Sequence, residues 1–524
     1  MKNYHHPLIT VIYACCVFLI AACEPQEPIR VYVTPTPQTS GATSTAIPTI
    51  SLPTATEEQT AVVEVTATPA SLDLGEINST PTTTFIGPVV GESYTLPPTS
   101  TLRPTNTPTL TIEVPITATP TSEPTIPALS PTPLPTGPVP TQLPMPNLNP
   151  DMMGVQLDPT LNQQDWNQAI SDLQRLGVRW LKVQISWDQM QPNGPDEISE
   201  DLKRLEIYLK SAHNNGSGFS IMLSFAKAPM WARSNDDQSG PPDDPNALEK
   251  FITLVLDRVG IATYAVEIWN EPNLVREWVG QPLTGQSYMQ YFVPAYNAIK
   301  TWSAAKAQDP NEPLRHSIQI ITAGLAPTGE NPAAGSRNDR TYLQEMFAAG
   351  LGQYTDAAIG IHPYGWWHPP TATCCSDDPR GWNNDPHFFF ADNIRDFRQV
   401  MEASGAGSMQ MWITEVGYAT WEHLAGDAPQ QWMTYIGECQ QGNYTVEAFQ
   451  YVQSLPYMGP MILWNLNWAM LTGMVENRDE RAAYSLIVPL PIRERAAYWM
   501  LYDAIRPDEQ LADYARCRGA NVSG

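Results

Sequence analysis

Strand-like and helix-like patterns of hydrophobic residues alternate along the chain from about residue 151 onward. The strand-like segments are short runs of apolar, β-branched and aromatic residues, which are typical of strands buried in a sheet. The eight segments of this kind are Met153–Leu157, Arg179–Ser186, Ser220–Ala226, Tyr264–Asn270, Ser317–Ala326, Ala357–Gly365, Met409–Tyr418 and Gly459–Asn467.

Each run is followed by a segment whose apolar residues recur at helical spacing. The predicted helices are Gln164–Leu176, Asp201–His213, Asn246–Val259, Tyr288–Lys306, Arg340–Ala349, Asp392–Ala403, Thr445–Leu455 and Glu494–Arg506. Repeated strand-then-helix units indicate parallel strands with the helices outside. The sequence therefore predicts an α/β fold for residues 151–524, with eight strands closed into a (β/α)8 barrel, or TIM barrel.

Two of the predicted strands end on a carboxylate. Glu271 stands at the end of the fourth strand, and Glu415 stands at the end of the seventh. An acid at the end of a buried strand is unfavourable unless it is paired or has a function. Barrel enzymes build their sites at the C-terminal ends of the strands. The two glutamates are therefore candidates for a catalytic pair.

The sequence around these acids resembles the retaining glycoside hydrolases of clan A, which are barrels with an acid/base on strand 4 and a nucleophile on strand 7. Trp269-Asn-Glu-Pro-Asn273 is similar to the first motif of that clan, and Ile413-Thr-Glu-Val-Gly417 is similar to the second. The resemblance covers roughly residues 151–510 and fits the cellulase-like family 5 and the xylosidase-like family 39 alike. It implies hydrolysis of O-glycosidic bonds by double displacement, with Glu271 as acid/base, Glu415 as nucleophile, and no cofactor or metal.

The resemblance also implies roles for residues on other strands. Asn270 would bind the sugar hydroxyl next to the reacting carbon, Tyr364 would orient the nucleophile, and His362 would line the site as a donor. Trp464 would form the floor on which the sugar rests, because C–H groups pack on aromatic faces. Lys182 takes the position of a clan arginine, keeps its charge but loses the bidentate fork, and is placed here among the substrate-binding residues.

Two other functions stay open at this point. The first is a non-catalytic glycan-binding surface lipoprotein that keeps the barrel and the sugar platform, and the lysine in place of an arginine favours it. The second is a transglycosylase, which shares the covalent intermediate and differs in its acceptor. Individual site residues also have structural alternatives, as strand-end caps or as core side chains.

The N-terminal segment is typical of an exported protein. An apolar stretch, Leu8–Ile20, is followed by Ala-Ala-Cys23, and its length and small-residue ending fit a secretory signal. The ending resembles a bacterial lipobox, so we expect residues 1–23 to be a lipoprotein signal peptide with Cys23 as the lipidated residue. Acyl chains anchor a protein without crossing the bilayer, which predicts a location on the outer face of a bacterial membrane. Ordinary signal cleavage and an uncleaved anchor are the alternatives.

Residues 24–150 are rich in proline, threonine and serine and predict a disordered, semi-rigid linker. The formal net charge of the chain is -25, which argues against nucleic acid as a partner and against polyanionic glycans. We therefore expect a neutral β-linked oligo- or polysaccharide as the substrate, and a monomeric protein.

Four cysteines lie beyond the predicted signal: Cys374, Cys375, Cys439 and Cys517. Export permits disulfides, and four cysteines allow three pairings. A bridge between the adjacent residues Cys374 and Cys375 would be strained, so we expect one of them to pair with Cys439. No Cys-x-x-Cys motif or histidine cluster indicates a metal site.

Overall fold

The computed structural model describes residues 146–214, 218–234 and 239–509, together with Cys517. The predicted signal peptide with Cys23, and nearly all of the predicted linker, lie outside the described residues. Within the described part of the chain, no helix is both long enough and apolar enough to cross a bilayer.

Eight parallel strands form one sheet. They are β1 (Met153–Leu157), β2 (Trp180–Ser186), β3 (Ser220–Ala226), β4 (Thr263–Asn270), β5 (Gln319–Gly324), β6 (Ile359–Ile361), β7 (Met411–Val416) and β8 (Met458–Leu463). Neighbours in sequence are neighbours in the sheet, and β1 also pairs with β8. Parallel bridges from Ile321 to Ala358 and from Leu325 to Ile361 join β5 to β6 and close the ring. The predicted (β/α)8 barrel is confirmed.

Helices fill the connections between the strands. They are α1 (Gln163–Leu176), α2 (Trp187–Met190), α3 (Glu200–Asn214), α4 (Pro245–Val259), α5 (Gly285–Ala307), α6 (Asp339–Ala348), α7 (Phe390–Ala403), α8 (Glu438–Gln453) and α9 (Ala496–Ile505). Side-chain caps set the starts of several of them, for example Asn162 before α1 and Thr284 before α5. Their apolar faces pack on the outside of the barrel and form the main core.

Two element boundaries differ from the prediction for physical reasons. The sixth run was expected to extend to Gly365, but β6 ends at Ile361, and Pro363 beyond it has no N–H for a ladder bond. Helix α8 begins at Glu438 rather than at Thr445. Gly442 weakens the helical pattern there, yet it is required, because a β-carbon at this position would collide with the sulfur of Met500 on α9.

The barrel interior changes from apolar to polar along the strands. A small apolar cluster fills the interior: Met222, Ala265, Ile321, Ala358, Trp412 and Ile462. Two residues further along the same faces, Glu267 follows Ala265 on β4 and Thr414 follows Trp412 on β7. Both side chains are completely buried. The polar layer therefore lies directly beneath the C-terminal face, where the predicted acids stand.

The disulfide expectation is wrong. Cys439 on α8 is bridged to Cys517, whose Cα lies 5.3 Å away. Cys374 and Cys375 are bridged to each other in the loop after β6.

We expect the Cys439–Cys517 bridge to stabilise the barrel, because it closes a segment of 78 residues. Replacing both cysteines by serine should lower the free energy of unfolding by roughly 2–4 kcal/mol, measured by urea denaturation. The matched control replaces Cys374 and Cys375 by serine, which removes a bridge that closes no loop of chain. Equal losses in the two double variants would contradict the loop-closure explanation.

Candidate active site

A cavity of about 260 Å³ opens at the C-terminal ends of the strands. This size is near the lower end of ligand pockets, which span roughly 300–1,000 Å³. Five residues predicted from the sequence lie in its wall: Asn270, Glu271, Tyr364, Glu415 and Trp464. The cavity therefore collects residues from β4, from β7, and from the segments that follow β6 and β8.

Glu271 and Glu415 face each other across this cavity. One carboxylate oxygen of each, together with a ring nitrogen of His362, lie within 4.8 Å of one another. Both glutamates keep a small exposed fraction, 8% for Glu271 and 7% for Glu415. The two acids that the strand pattern singled out thus share one site and remain accessible to a ligand.

The backbone around Glu271 is held in an unusual conformation. Trp269 has a φ of 77° and Glu271 a φ of 42°, in the left-handed region that non-glycine residues rarely occupy. Such residues each carry strain of roughly 1–3 kcal/mol and persist only where surrounding contacts fix them. Here the Trp269 indole N–H donates to the Glu277 carbonyl at 3.0 Å, and the Glu271 N–H donates to the Gly324 carbonyl at 3.1 Å. These bonds fix the direction of the Glu271 side chain.

The two carboxylate oxygens of Glu271 have different partners. Oε1 lies 3.1 Å from Nδ1 of His362, and Oε2 accepts a hydrogen bond of 2.9 Å from Nη2 of Arg276. His362 is completely buried, whereas the Arg276 side chain is 36% exposed and lies in the cavity wall. Gly324 at the end of β5 admits the imidazole, because a β-carbon there would overlap its ring.

Glu415 is oriented by an aromatic group. The Tyr364 hydroxyl donates to its Oε1 at 2.8 Å. The Tyr364 ring packs edge-on against Trp464 and Tyr484, and the last two rings lie 5.0 Å apart. Burial raises the pKa of Tyr364 well above its usual value, so that the hydroxyl keeps its proton and remains a donor. The cavity is therefore walled by aromatic rings around one oriented carboxylate.

A chain of buried charges lies beneath the cavity. Lys182 Nζ lies 2.9 Å from Oε2 of Glu267 and donates to the Thr414 carbonyl at 2.9 Å. Oε1 of Glu267 lies 3.7 Å from Nε2 of His362 and accepts a 3.0 Å bond from the Gly324 N–H. The side chains of Lys182, Glu267 and His362 are all fully buried. Lys182 thus does not form the cavity wall, and its partner is a carboxylate of the barrel interior.

This arrangement makes His362 a cation at neutral pH. Burial by itself would lower the pKa of His362, but the charge of Glu415 and the contacts to Glu267 and Glu271 raise it to about 9. Burial would likewise raise the pKa of Glu267, and Lys182 and His362 instead hold it far below its usual value. The protonated imidazole can therefore donate a hydrogen bond to Glu271 through Nδ1.

The two glutamates are shifted in opposite directions. Burial would raise the pKa of Glu271, but the hydrogen bond from His362 and the charge of Arg276 bring it below its usual value. Burial raises the pKa of Glu415, and the attraction of His362 and Lys182 does not offset it. Arg276 therefore favours the charged form of Glu271.

The same donor atoms are close enough to hold a metal ion, but their protons indicate a different use. A cation would have to displace the proton of the His362 imidazolium and the hydrogen bond from Tyr364 to Glu415. A hydrogen-bonded acid–base site fits these residues better than a metal centre.

Several polar atoms in residues of the cavity wall are buried without a hydrogen-bond partner. They are Gln156 Oε1, Asn270 Oδ1, Glu277 Oε2, Trp366 Nε1 and Trp468 Nε1. Buried polar atoms in native proteins are nearly always paired, so these atoms require ordered water or a ligand as partner. Both donors and acceptors are present, as a polyhydroxylated ligand requires.

Among the charged residues of this site that the sequence analysis missed, three contact the predicted residues or each other: Glu267, Arg276 and Glu277. Glu267 had a signal, because an acid within the apolar run Ala-Val-Glu-Ile-Trp needs a buried cation, and Lys182 lies in a comparable run on another strand. Arg276 and Glu277 stand in a short loop segment where charged residues are usually solvated. Only the three-dimensional arrangement shows that both turn toward the cavity.

No protein-family model and no curated protein sequence matches this chain. Its fold is similar to that of several solved glycosidases. A family 39 glycoside hydrolase from Bacteroides cellulosilyticus matches with 13% identity over 69% of this chain and 65% of that one, with a TM-score of 0.48. A monomeric β-xylosidase from Caulobacter crescentus matches with 14% identity over 69% of each chain, with a TM-score of 0.44. A family 1 β-glucosidase from Thermotoga maritima matches with 12% identity over 68% of this chain and 98% of that one, with a TM-score of 0.41.

The match to the family 39 structure spans less than two thirds of that protein's length. At these identities the likeness concerns the barrel fold alone, which the strand order already establishes.

We expect the buried pair of Lys182 and Glu267 to be required for folding. Lys182→Met leaves the Glu267 carboxylate buried without its main cation and should lower the free energy of unfolding by about 3–5 kcal/mol. Adding Glu267→Gln should restore part of the loss, because no uncompensated charge then remains. Urea denaturation of the single and double variants measures both effects.

The matched control is Lys203→Met, which removes the exposed pair between Lys203 and Glu200. Exposed pairs contribute about 0–1 kcal/mol, so this variant should be nearly as stable as the wild type. Similar small losses for both lysine variants would show that the buried pair is not structurally required.

Proposed function

We propose that this protein is a retaining glycoside hydrolase. The observation that carries the proposal is the placement of Glu271 and Glu415 at one cavity, with carboxylate oxygens within 4.8 Å of each other. Retaining glycosidases hold their two carboxyl groups about 5–5.5 Å apart, whereas inverting enzymes leave about 6.5–9.5 Å for a water molecule. The short separation supports double displacement.

In the proposed first step, Glu415 attacks the anomeric carbon and forms a glycosyl ester. The bond from that carbon to the leaving oxygen breaks, and Glu271 gives its proton to that oxygen. The hydrogen bond from Tyr364 holds Oε1 of Glu415, so Oε2 is the oxygen directed to attack. In the second step, Glu271 takes a proton from water, and the resulting hydroxide displaces Glu415.

The cavity wall supports a neutral sugar as the ligand. It contains five carboxylates and three cations: Asp158, Glu271, Glu277, Glu415 and Glu480, against Lys227, Arg276 and Arg481. This excess of acids disfavours uronates and other anionic glycans. Trp464, Tyr484 and the other rings of the wall suit the C–H faces of a pyranose. Asn270, beside the acid, would bind a hydroxyl close to the reacting carbon.

The same proposal covers the location of the protein. The signal-like N-terminus supports export and a lipid anchor at Cys23 on the outer face of a bacterial membrane, with residues 24–150 as a spacer. The Cys439–Cys517 bridge is in keeping with an oxidising compartment.

The non-catalytic alternative was favoured by the lysine at position 182. The contact of its ammonium with Glu267 gives this lysine a role within the barrel. The departure from the clan pattern therefore no longer favours a binding protein without activity.

We expect Glu415→Ala to abolish hydrolysis, because no carboxylate would remain to form the glycosyl ester. Glu271→Ala should reduce turnover by about 10²–10⁴-fold on glycosides with alkyl or sugar leaving groups. The loss should be smaller for aryl glycosides, whose phenolate can depart without a proton. The measurement uses the full chain with a panel of aryl β-glycosides and soluble β-glucans, and the anomer first released is read by NMR.

The control for both variants is Glu402→Ala, an exposed glutamate of α7 that should leave turnover unchanged. Full activity of Glu415→Ala would refute the nucleophile assignment. Release of the inverted anomer would rule out retention. No turnover of any glycan by the wild type would remove the hydrolase proposal itself.

A further inference from the structure

Glu271 has one oxygen free to meet a substrate, and Arg276 holds that oxygen. Oε1 is turned into the barrel, where it contacts the fully buried His362. Oε2 accepts a hydrogen bond of 2.9 Å from Arg276, whose partly exposed side chain lies in the cavity wall. A proton given to a leaving group would then pass from Oε2, because Oε1 is already engaged by the buried imidazole. Arg276 and the leaving oxygen therefore compete for the same position.

A second carboxylate stands next to Arg276. Nε of Arg276 lies 4.0 Å from Oε1 of Glu277, and Oε2 of Glu277 is buried without a hydrogen-bond partner. A buried carboxylate in this condition is unfavourable unless a partner arrives or it takes up a proton. Burial raises the pKa of Glu277 to about 7, despite the charges of Arg276 and Lys227. Glu277 is therefore ready to receive a cation.

The backbone of Glu277 is fixed, whereas the arginine has the flexible side chain. The Glu277 carbonyl accepts the Trp269 indole N–H, and its own N–H donates to the Leu274 carbonyl at 3.0 Å. Trp278 follows it and packs edge-on beneath Trp269. Rotation of the Arg276 side chain can thus exchange one carboxylate for the other without movement of the loop.

We propose that Arg276 is a positioning residue that moves from Glu271 to Glu277 when a glycoside binds, and that this movement prepares Glu271 to act as the acid. The inference rests on the proposed glycosidase function. Arg276 stabilises the charged form of whichever glutamate it contacts. Its departure leaves Glu271 beside the Glu415 carboxylate, which favours protonation of Glu271. Its arrival at Glu277 favours release of a proton there, so the proton lost by Glu277 balances the proton gained by Glu271.

The exchange accounts for an otherwise unfavourable feature of the site. An acid whose pKa is held low by a cation is a poor proton donor, and Glu271 is in that condition while Arg276 contacts it. When Arg276 contacts Glu277, burial and the charge of Glu415 raise the pKa of Glu271, and only His362 opposes this rise. The acid then forms only when the leaving oxygen has taken the place of the guanidinium.

Other titratable groups also face these carboxylates, and the experiment must separate them from Arg276. The groups that act on Glu271, Arg276 or Glu277 from neighbouring elements are Lys227, His362, Tyr364, Glu415, Glu480 and Tyr484. His362 and Glu415 remain in place in both positions of the arginine. A change caused by Arg276 is therefore distinguished by its difference between the free enzyme and the substrate complex.

The test is the pH dependence of hydrolysis by the full chain with Arg276→Gln. The high-pH limb of kcat/KM reports the acid in the free enzyme, and that of kcat reports it in the complex. In the wild type, the high-pH limb of the kcat/KM profile should lie at lower pH than the high-pH limb of the kcat profile. Loss of the cation raises the pKa of Glu271 in the free enzyme, so Arg276→Gln should move the kcat/KM limb up by about one pH unit. The high-pH limb of kcat should be unchanged in Arg276→Gln, because in the wild-type substrate complex Arg276 no longer contacts Glu271.

Glu277→Gln tests the second position of the arginine. Without the receiving carboxylate, Arg276 stays on Glu271, and kcat should fall about tenfold or more on alkyl or sugar leaving groups. Turnover of 2,4-dinitrophenyl glycosides should change little, because this leaving group departs without a proton. The matched control is Arg204→Gln, which removes an arginine of α3 that is paired with Asp201 outside the cavity wall, and it should shift neither limb.

The possible failures are distinct. If the wild type turns over a glycoside and the pH limbs of Arg276→Gln are not shifted, the arginine exchange is overturned and the glycosidase proposal still stands. Equal losses on both classes of leaving group in Glu277→Gln would assign a merely structural role to that residue, which also overturns the exchange. Absence of any turnover by the wild type would overturn both proposals.

Discussion

The site depends on a continuous chain of buried charges that passes through the barrel to Glu271. Lys182 contacts Glu267, Glu267 lies beside His362, and His362 contacts Oε1 of Glu271. Each member would be unfavourable alone in an apolar interior, and each is stabilised by the next. The chain keeps His362 charged and holds Oε1 of Glu271, while Oε2 is bonded to the cavity arginine. The positions of the acid, its hydrogen-bond donor and the cavity arginine all follow from this constraint.

The barrel makes the chain possible because its strands change character along their length. The apolar cluster of the interior gives way to the side chains of Glu267 and Thr414, and then to Glu271 and Glu415 at the rim. The strained backbone at Trp269 and Glu271 lies where β4 leaves the sheet, and hydrogen bonds to Gly324 and Glu277 hold it. Stability is thus concentrated in the strands, and local strain occurs where a side chain must be aimed.

The fold and the two central acids could be predicted from the sequence because their signals are local. A run of apolar residues ending in Glu271 or Glu415 marks both a strand and its functional end. Partnerships between distant segments had weaker signals. The sequence indicated that Lys182 stands in the place of an arginine. It did not indicate that Glu267 is the partner of Lys182, because the two residues lie on different strands. The pairing of Cys439 with Cys517 joins residues 78 positions apart, and no local pattern specifies such a pairing. The roles of Arg276 and Glu277 depend on a loop conformation that only the folded chain defines.

The central claim is that Glu415 forms a covalent bond with a sugar. Incubation of the full chain with 2-deoxy-2-fluoro β-glycosides of dinitrophenol, followed by peptide mass spectrometry, tests this bond, because the fluorine slows both formation and release of the glycosyl ester and the good leaving group restores only its formation. We expect a mass increase of one fluorosugar on the peptide that contains Glu415. Turnover of ordinary glycosides without any labelled peptide, or with the label on another residue, would contradict it.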